Sequence, residues 1–123
     1  VHVLRDPTRG GLATTLAEIA MQSQVCITLE EAAIPIDQPV HKACELLGLD
    51  PLYLANEGKM IIILPEADAP TALSYLRAKC YGEGAQLIGK VNAIPAGQVW
   101  LRTPLGTTRV LEMLAGEMLP RIC

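Results

Sequence analysis

The order of elements along this 123-residue chain predicts an α/β (α+β) layered sandwich, a mixed four- to six-stranded sheet with helices packed on it. Three observations carry that expectation. Apolar residues recur at helical spacing in three stretches, within 12–20, 38–47 and 69–80. Short runs with strand alternation or β-branched composition lie between and after them. Near the end, Pro104-Leu105-Gly106 separates two such runs and predicts an antiparallel hairpin.

Val1-His2-Val3-Leu4 reads as an opening strand. After Arg5-Asp6-Pro7-Thr8-Arg9-Gly10-Gly11 comes a helix whose stripe is Leu12, Leu16, Ile19 and Ala20. Asp6 or Thr8 is placed to cap it, and Pro7 suits its first turn. Val25–Leu29 alternates Val25, Ile27 and Leu29 against Cys26 and Thr28, a half-buried strand with Cys26 as packing. Prolines then mark a connection, and Gln38–Leu47 forms a helix with Val40, Ala43, Cys44 and Leu47 on one face and Gly48 as its stop. His41 lies off that stripe and reads as solvated.

Asp50-Pro51 starts a brief helical turn through Leu54, before Asn56-Glu57-Gly58-Lys59. Met60–Leu64 is an unbroken, β-branched apolar run, expected to be a central strand buried on both faces. Asp68 should cap a helix with Ala69, Ala72, Leu73, Leu76 and Cys80 facing the core, ended by Gly82. Strands at Gln86–Asn92, Gln98–Thr103 and Thr107–Met113 complete the set. The domain is expected to span 1–115, with 116–123 as a mobile tail.

Half of the residues are hydrophobic, the net charge is −3, and there is no phenylalanine, so the core must be aliphatic. That balance argues against a nucleic-acid or membrane surface, either of which favours basic patches. The cysteines at 26, 44, 80 and 123 form no C-x-x-C, which speaks against structural zinc and a disulfide framework. A reducing cytoplasm is the expected location. The start on Val1, in a strand, reads as a piece of something longer.

Four stretches invite chemistry. Gly84-Ala85-Gln86-Leu87-Ile88-Gly89-Lys90-Val91 has P-loop spacing, but Val91 stands where Ser or Thr would hold magnesium, and a strand rather than a helix follows. At Arg5–Gly11, two glycines before a helix let ligand atoms approach free backbone N–H groups, with Arg5 and Arg9 as cationic donors. Asp6 there is placed to hold a metal or cap the helix. Asn56-Glu57 sits before the apolar run, where Glu57 suits a general base and Asn56 a substrate-orienting group. Finally, Cys123 is the last residue, so its thiol can be threaded into another active site. A free thiol has a pKa of ~8.5; the α-carboxylate beside Cys123 should raise it and Arg121 should lower it in part.

Together, Arg5-Asp6-Pro7-Thr8-Arg9-Gly10-Gly11-Leu12-Ala13, Leu54-Ala55-Asn56-Glu57-Gly58-Lys59 and Pro120-Arg121-Ile122-Cys123 resemble the HypE family of hydrogenase maturation factors. That family lies in the aminoimidazole ribonucleotide synthetase superfamily, with selenophosphate synthetase as a relative. The resemblance implies a PurM C-terminal-domain-like fold, with most of the ATP and Mg site on an absent N-terminal domain and no cofactor or metal in this fragment, itself inactive. It implies that the carbamoyltransferase HypF loads a carbamoyl group onto Cys123, that ATP drives its dehydration to a thiocyanate, and that the cyanide passes to iron on HypC–HypD. Cys123 and Glu57 are then the catalytic candidates. Asp6, Thr8, Arg9, Gly10, Gly11 and Asn56 are the substrate- and nucleotide-facing ones. A homodimer is expected at full length, and the face toward the missing half should be exposed and apolar. The competing readings are a non-catalytic docking module and a related superfamily enzyme such as selenophosphate synthetase, which needs no carrier thiol at its end.

Overall fold

Helix α1 (Gly11–Ser23) is the element on which the rest packs, in a computed structural model that describes residues 1–113. Ala13, Leu16, Ala17, Ile19 and Ala20 are buried along it, a wider face than the four-residue stripe expected, and Leu12 is only partly covered. Its alanines let the helix backbone approach the sheet closely. That sheet has four strands in the order β4-β2-β5-β6, with β2 Cys26–Glu30, β4 Gly89–Asn92, β5 Gln98–Arg102 and β6 Thr108–Leu111. It is mixed: β2 runs parallel to β5, while β4 and β6 are antiparallel to their neighbours.

Strand alternation decides which side faces α1. Ile27 pairs with Val99 and Leu29 with Leu101, and all four are buried, at most 3% exposed. Burying a side chain of this kind contributes about 1.5–3 kcal/mol relative to leaving it in water. The opposite phase places Thr28 beside Trp100, and Glu30 beside Arg102 with an ion pair at 3.2 Å. Cys26, in that phase too, is nonetheless buried and serves as packing. The main cluster is aliphatic throughout, completed by Leu52, Ile61 and Leu111.

Helix α1 also packs against a 3₁₀ turn, Pro51–Tyr53, and β1 (Val3–Arg5) and β3 (Ile61–Ile63) form a separate two-stranded ribbon. Met60–Leu64 was expected to be a central strand. Instead only Ile61–Ile63 is extended, it pairs with β1 alone, Ile61 is the sole buried residue of the strand, and Met60 is 58% exposed. An apolar run reports that something covers it, not how many strands flank it. The single sheet is thus divided into four strands and two.

Helix α2 (Gln38–Leu47) matches its expected bounds, and Gly48 ends it in the left-handed conformation, φ +69°, with its N–H bonded to the carbonyls of Cys44 and Glu45. Only Cys44 of its stripe is buried; Val40 and Leu47 are exposed, and so is Leu46. His41 is exposed as expected, 4.0 Å from Glu45. Helix α3 (Ala69–Arg77) follows a 3₁₀ turn at Glu66–Asp68, has no side-chain cap from Asp68, and ends before Cys80, which is exposed rather than in the core. The β5–β6 hairpin forms as expected, and Gly89-Lys90-Val91 lies in β4, so no phosphate loop exists there. Among the described residues no helix is long and apolar enough to cross a membrane.

Candidate functional site

The two polar motifs meet at one end of the ribbon. Because β1 and β3 are antiparallel with Arg5 opposite Ile61, the chain leaving β1 and the chain entering β3 emerge side by side. The first carries Asp6–Gly11 and the second Leu54–Lys59. They are joined directly, the Asn56 N–H donating to the Pro7 carbonyl at 3.0 Å. Pro7 is buried, so this link is shielded from water.

Gly11 explains why the loops can close on each other. It has φ +69°, and a Cβ there would lie 2.6 Å from the Leu52 carbonyl oxygen and 2.8 Å from the Tyr53 carbonyl carbon, with the Leu54 carbonyl also in the way. Only glycine suits both the backbone and the close approach. Gly10 is the residue before α1, also left-handed at φ +70°, and it makes no side-chain cap. Asp6 and Thr8 therefore do not cap the helix. The expected cap fails because the chain turns into α1 on two successive positive-φ glycines, leaving both residues further up the loop.

The first turn of α1 consequently presents backbone N–H groups with no side-chain cap, where a negative group is favoured. Beside it the Thr14 hydroxyl is buried without a hydrogen-bond partner among the described residues, and its side chain lies against Gly10. An orphaned buried hydroxyl is costly, so Thr14 joins the candidate site. Sequence reasoning passed over it as an ordinary helical residue.

Arg5 does not serve as an open cation: its Nη2 pairs with Glu18 Oε2 at 2.8 Å, tying the end of β1 to α1. Asp6, Arg9 and Glu57 are exposed, and among the described residues no side-chain hydrogen bond or ion pair engages them. Asn56 is half-buried and donates its side-chain amide to the Leu54 carbonyl at 3.3 Å, which stiffens the loop on which Glu57 stands. Thr8 is partly covered. The geometry therefore brings the loop that carries Asp6, Thr8, Arg9, Gly10 and Gly11 beside the loop that carries Asn56 and Glu57. Cys123 lies outside the described residues, as does the expected tail at 116–123.

A small mixed sheet crossed by one alanine-rich helix, with paired glycines at that helix's start, defines a class. The chain belongs to the AIR synthase related protein, C-terminal domain family, which it matches over residues 1–102. Within it, the chain is similar over all 123 residues to the carbamoyl dehydratase HypE of Cupriavidus necator (55% identical, 35% of that protein) and of Rhodobacter capsulatus (50%, 36%). It spans little more than a third of the length of these relatives.

Solved structures agree. A crystal structure of the hydrogenase maturation protein HypE superposes with a TM-score of 0.92 at 58% identity, over 99% of this chain and 40% of that one. HypE in complex with ATP gives 0.91 at 56%, covering 99% and 38%. A HypE–HypF complex gives 0.85 at 41%, covering 91% and 36%.

Proposed function

We propose that this chain is the C-terminal part of a [NiFe]-hydrogenase maturation enzyme, an ATP-dependent carbamoyl dehydratase. Cys123 carries the group. A carbamoyl unit on its sulfur is a thiocarbamate, S–C(=O)–NH2. Phosphorylation of the carbonyl oxygen by ATP turns that oxygen into a leaving group. Loss of phosphate and of both nitrogen protons leaves S–C≡N, a thiocyanate; two electrons from the side of a HypC–HypD-type acceptor then cleave the S–C bond, so that cyanide passes to its iron and Cys123 returns as a thiolate.

The observation that carries this reading is the hydrogen bond from Asn56 to Pro7, which joins the loops of the two family motifs and so supports a shared site. Glu57, exposed on the loop that Asn56 braces, takes the nitrogen protons, and Asn56 or Arg9 positions the group. The anionic part of ATP fits the uncapped start of α1, where the orphaned Thr14 hydroxyl belongs to a side chain lying against Gly10, Gly11 follows, and Arg9 is the preceding residue in the chain. A nucleotide needs more walls than these. We assign the magnesium ligands and most of the ATP contacts to a further part of the protein, since the chain spans only 35% of the length of its Cupriavidus necator relative. On this reading the domain alone turns over no ATP.

The similar HypE seen with HypF supports a carbamoyltransferase of that kind as the loading partner, and we propose a homodimer in the cytoplasm for the whole protein. The test is mass spectrometry of the C-terminal peptide after incubating the full-length protein with carbamoyltransferase, carbamoyl phosphate and ATP. The expected result is carbamoyl and then cyano mass on Cys123, both lost in Cys123→Ala. A C-terminus that binds the transferase yet never gains either mass overturns the proposal in favour of a docking module.

A further inference from the structure

The loop that opens α1 is held at three places, and they do not lead to the same partner. Its middle is tied to the second motif, the Asn56 N–H donating to the Pro7 carbonyl at 3.0 Å, and at its end Gly11 lies against the backbone of Leu52, Tyr53 and Leu54. Its beginning is tied to the helix itself: Arg5 Nη2 meets Glu18 Oε2 at 2.8 Å. Glu18 comes seven residues after Gly11, two turns on and on the same face of α1, about 10 Å along its axis. The segment 6–10 therefore runs from a clasp beside the second turn of the helix up to its first residue.

The ribbon has no ladder to the main sheet that would do this instead. Strand β1 pairs with β3 alone, and of its three residues only Val3 is partly covered, Leu4 and Arg5 being exposed. Packing grips β1 at Val3. At Arg5, where the motif loop leaves, a charged hydrogen bond takes over.

We infer that Glu18 is a positioning residue: by holding Arg5 against α1 it fixes the entry of the Asp6–Gly11 loop, and with it the backbone N–H groups at the helix start; this rests on the reading of that start as the seat of ATP's phosphates. Glu18 itself touches no ligand. Two effects compete when its charge is removed. Losing a carboxylate favours a nearby anion, but about 10 Å exceeds the Debye length of about 8 Å at physiological salt, so that gain is small. Losing the clasp weakens binding by about two- to fivefold, the factor available from an ion pair whose side chains are 43% and 33% exposed. The loss wins.

The experiment measures ATP binding by calorimetry on full-length proteins at physiological ionic strength, with the thermal midpoint beside it. It compares wild type, Glu18→Gln, the exchanged pair Arg5→Glu with Glu18→Arg, Arg9→Gln and Glu66→Gln. Arg9→Gln reports on the site itself. Glu66→Gln is the control: it breaks the 3.2 Å pair with Lys90, on a turn past the end of β3 away from the motif loops. Glu18→Gln is expected to bind ATP about threefold more weakly at nearly the wild-type midpoint, and the exchanged pair to recover to within about 1.5-fold of wild type. Glu66→Gln should bind as wild type does. If Arg9→Gln weakens binding but Glu18→Gln does not, the inference is overturned. Tighter binding by Glu18→Gln overturns it too, since a released Arg5 would then be reaching the phosphates directly. So does an exchanged pair that fails to recover, or an equal loss in Glu66→Gln, which marks a general loosening. A wild-type protein that binds no ATP, or an Arg9→Gln that binds as well as wild type, overturns instead the reading of the helix start as the phosphate seat.

Discussion

Gly11→Ala and Gly48→Ala form a matched pair that isolates the close approach of the two motif loops. Both glycines have φ +69°, so an alanine meets the same backbone penalty of about 1–2 kcal/mol at either place. At Gly48 an added Cβ meets nothing within 4 Å, and the cost ends there. At Gly11 it meets the Leu52 and Leu54 carbonyl oxygens and the Tyr53 carbonyl carbon. All three are backbone atoms, which cannot swing aside as a side-chain end would. Overlap of this kind adds roughly another 1–3 kcal/mol. Gly11→Ala should therefore be the more destabilising by about 2 kcal/mol, and with a urea m-value of about 1–2 kcal/mol/M its midpoint should lie about 1–2 M lower. Urea unfolding followed by far-UV circular dichroism measures this directly. Amide exchange at Asn56 tells where the damage falls: protection by the Pro7 carbonyl should weaken in Gly11→Ala and persist in Gly48→Ala. Equal midpoints for the two variants would refute the claim that backbone contact at Gly11 holds the loops together.

Other outcomes follow from the same geometry. Glu57→Gln should slow dehydration of a preloaded Cys123 by roughly 10²–10⁴-fold, read by quenched-flow mass spectrometry, if the carboxylate is the base. Because Glu57 is exposed, its loss should change stability by no more than about 0.5 kcal/mol. Leu101→Ala removes a side chain that is fully buried between α1 and the sheet, and should cost about 2–5 kcal/mol by chemical denaturation.

Much of the fold was legible from local pattern. Gln38–Leu47 with its Gly48 stop has a stripe, a proline near its start and a glycine after its end, and it folds as those signals say. The turn at 104–106 brings β5 and β6 together as a hairpin, because its neighbours alternate and the loop is short. The failures share one cause. Met60–Leu64, Val40, Leu47 and Cys80 are apolar or small residues whose burial depends on what lies across from them. Periodicity names a face without naming its partner. Hence β3 became half of a ribbon, and α2 and α3 carry less of the core than their stripes implied.

The candidate site divides in the same way. Asp6-Pro7-Thr8-Arg9-Gly10-Gly11 and Asn56-Glu57 stand out in the chain because their residue types suit ligands and left-handed turns. Thr14 and Glu18 do not, since an orphaned hydroxyl and an ion pair with a residue 13 positions away exist only once the chain is folded.

Taken alone, the amino-acid order determined the aliphatic core, α2, the closing hairpin and the family to which the two polar motifs point. Those depend on neighbours along the chain, which sterics and hydrophobic spacing read at short range. Only the tertiary structure decided that both motifs share one end of a ribbon, that the glycine pair and not Asp6 or Thr8 opens α1, and that Arg5 is taken up by Glu18. These are pairings between distant segments, settled by which backbones can approach one another, and no local pattern carries that information.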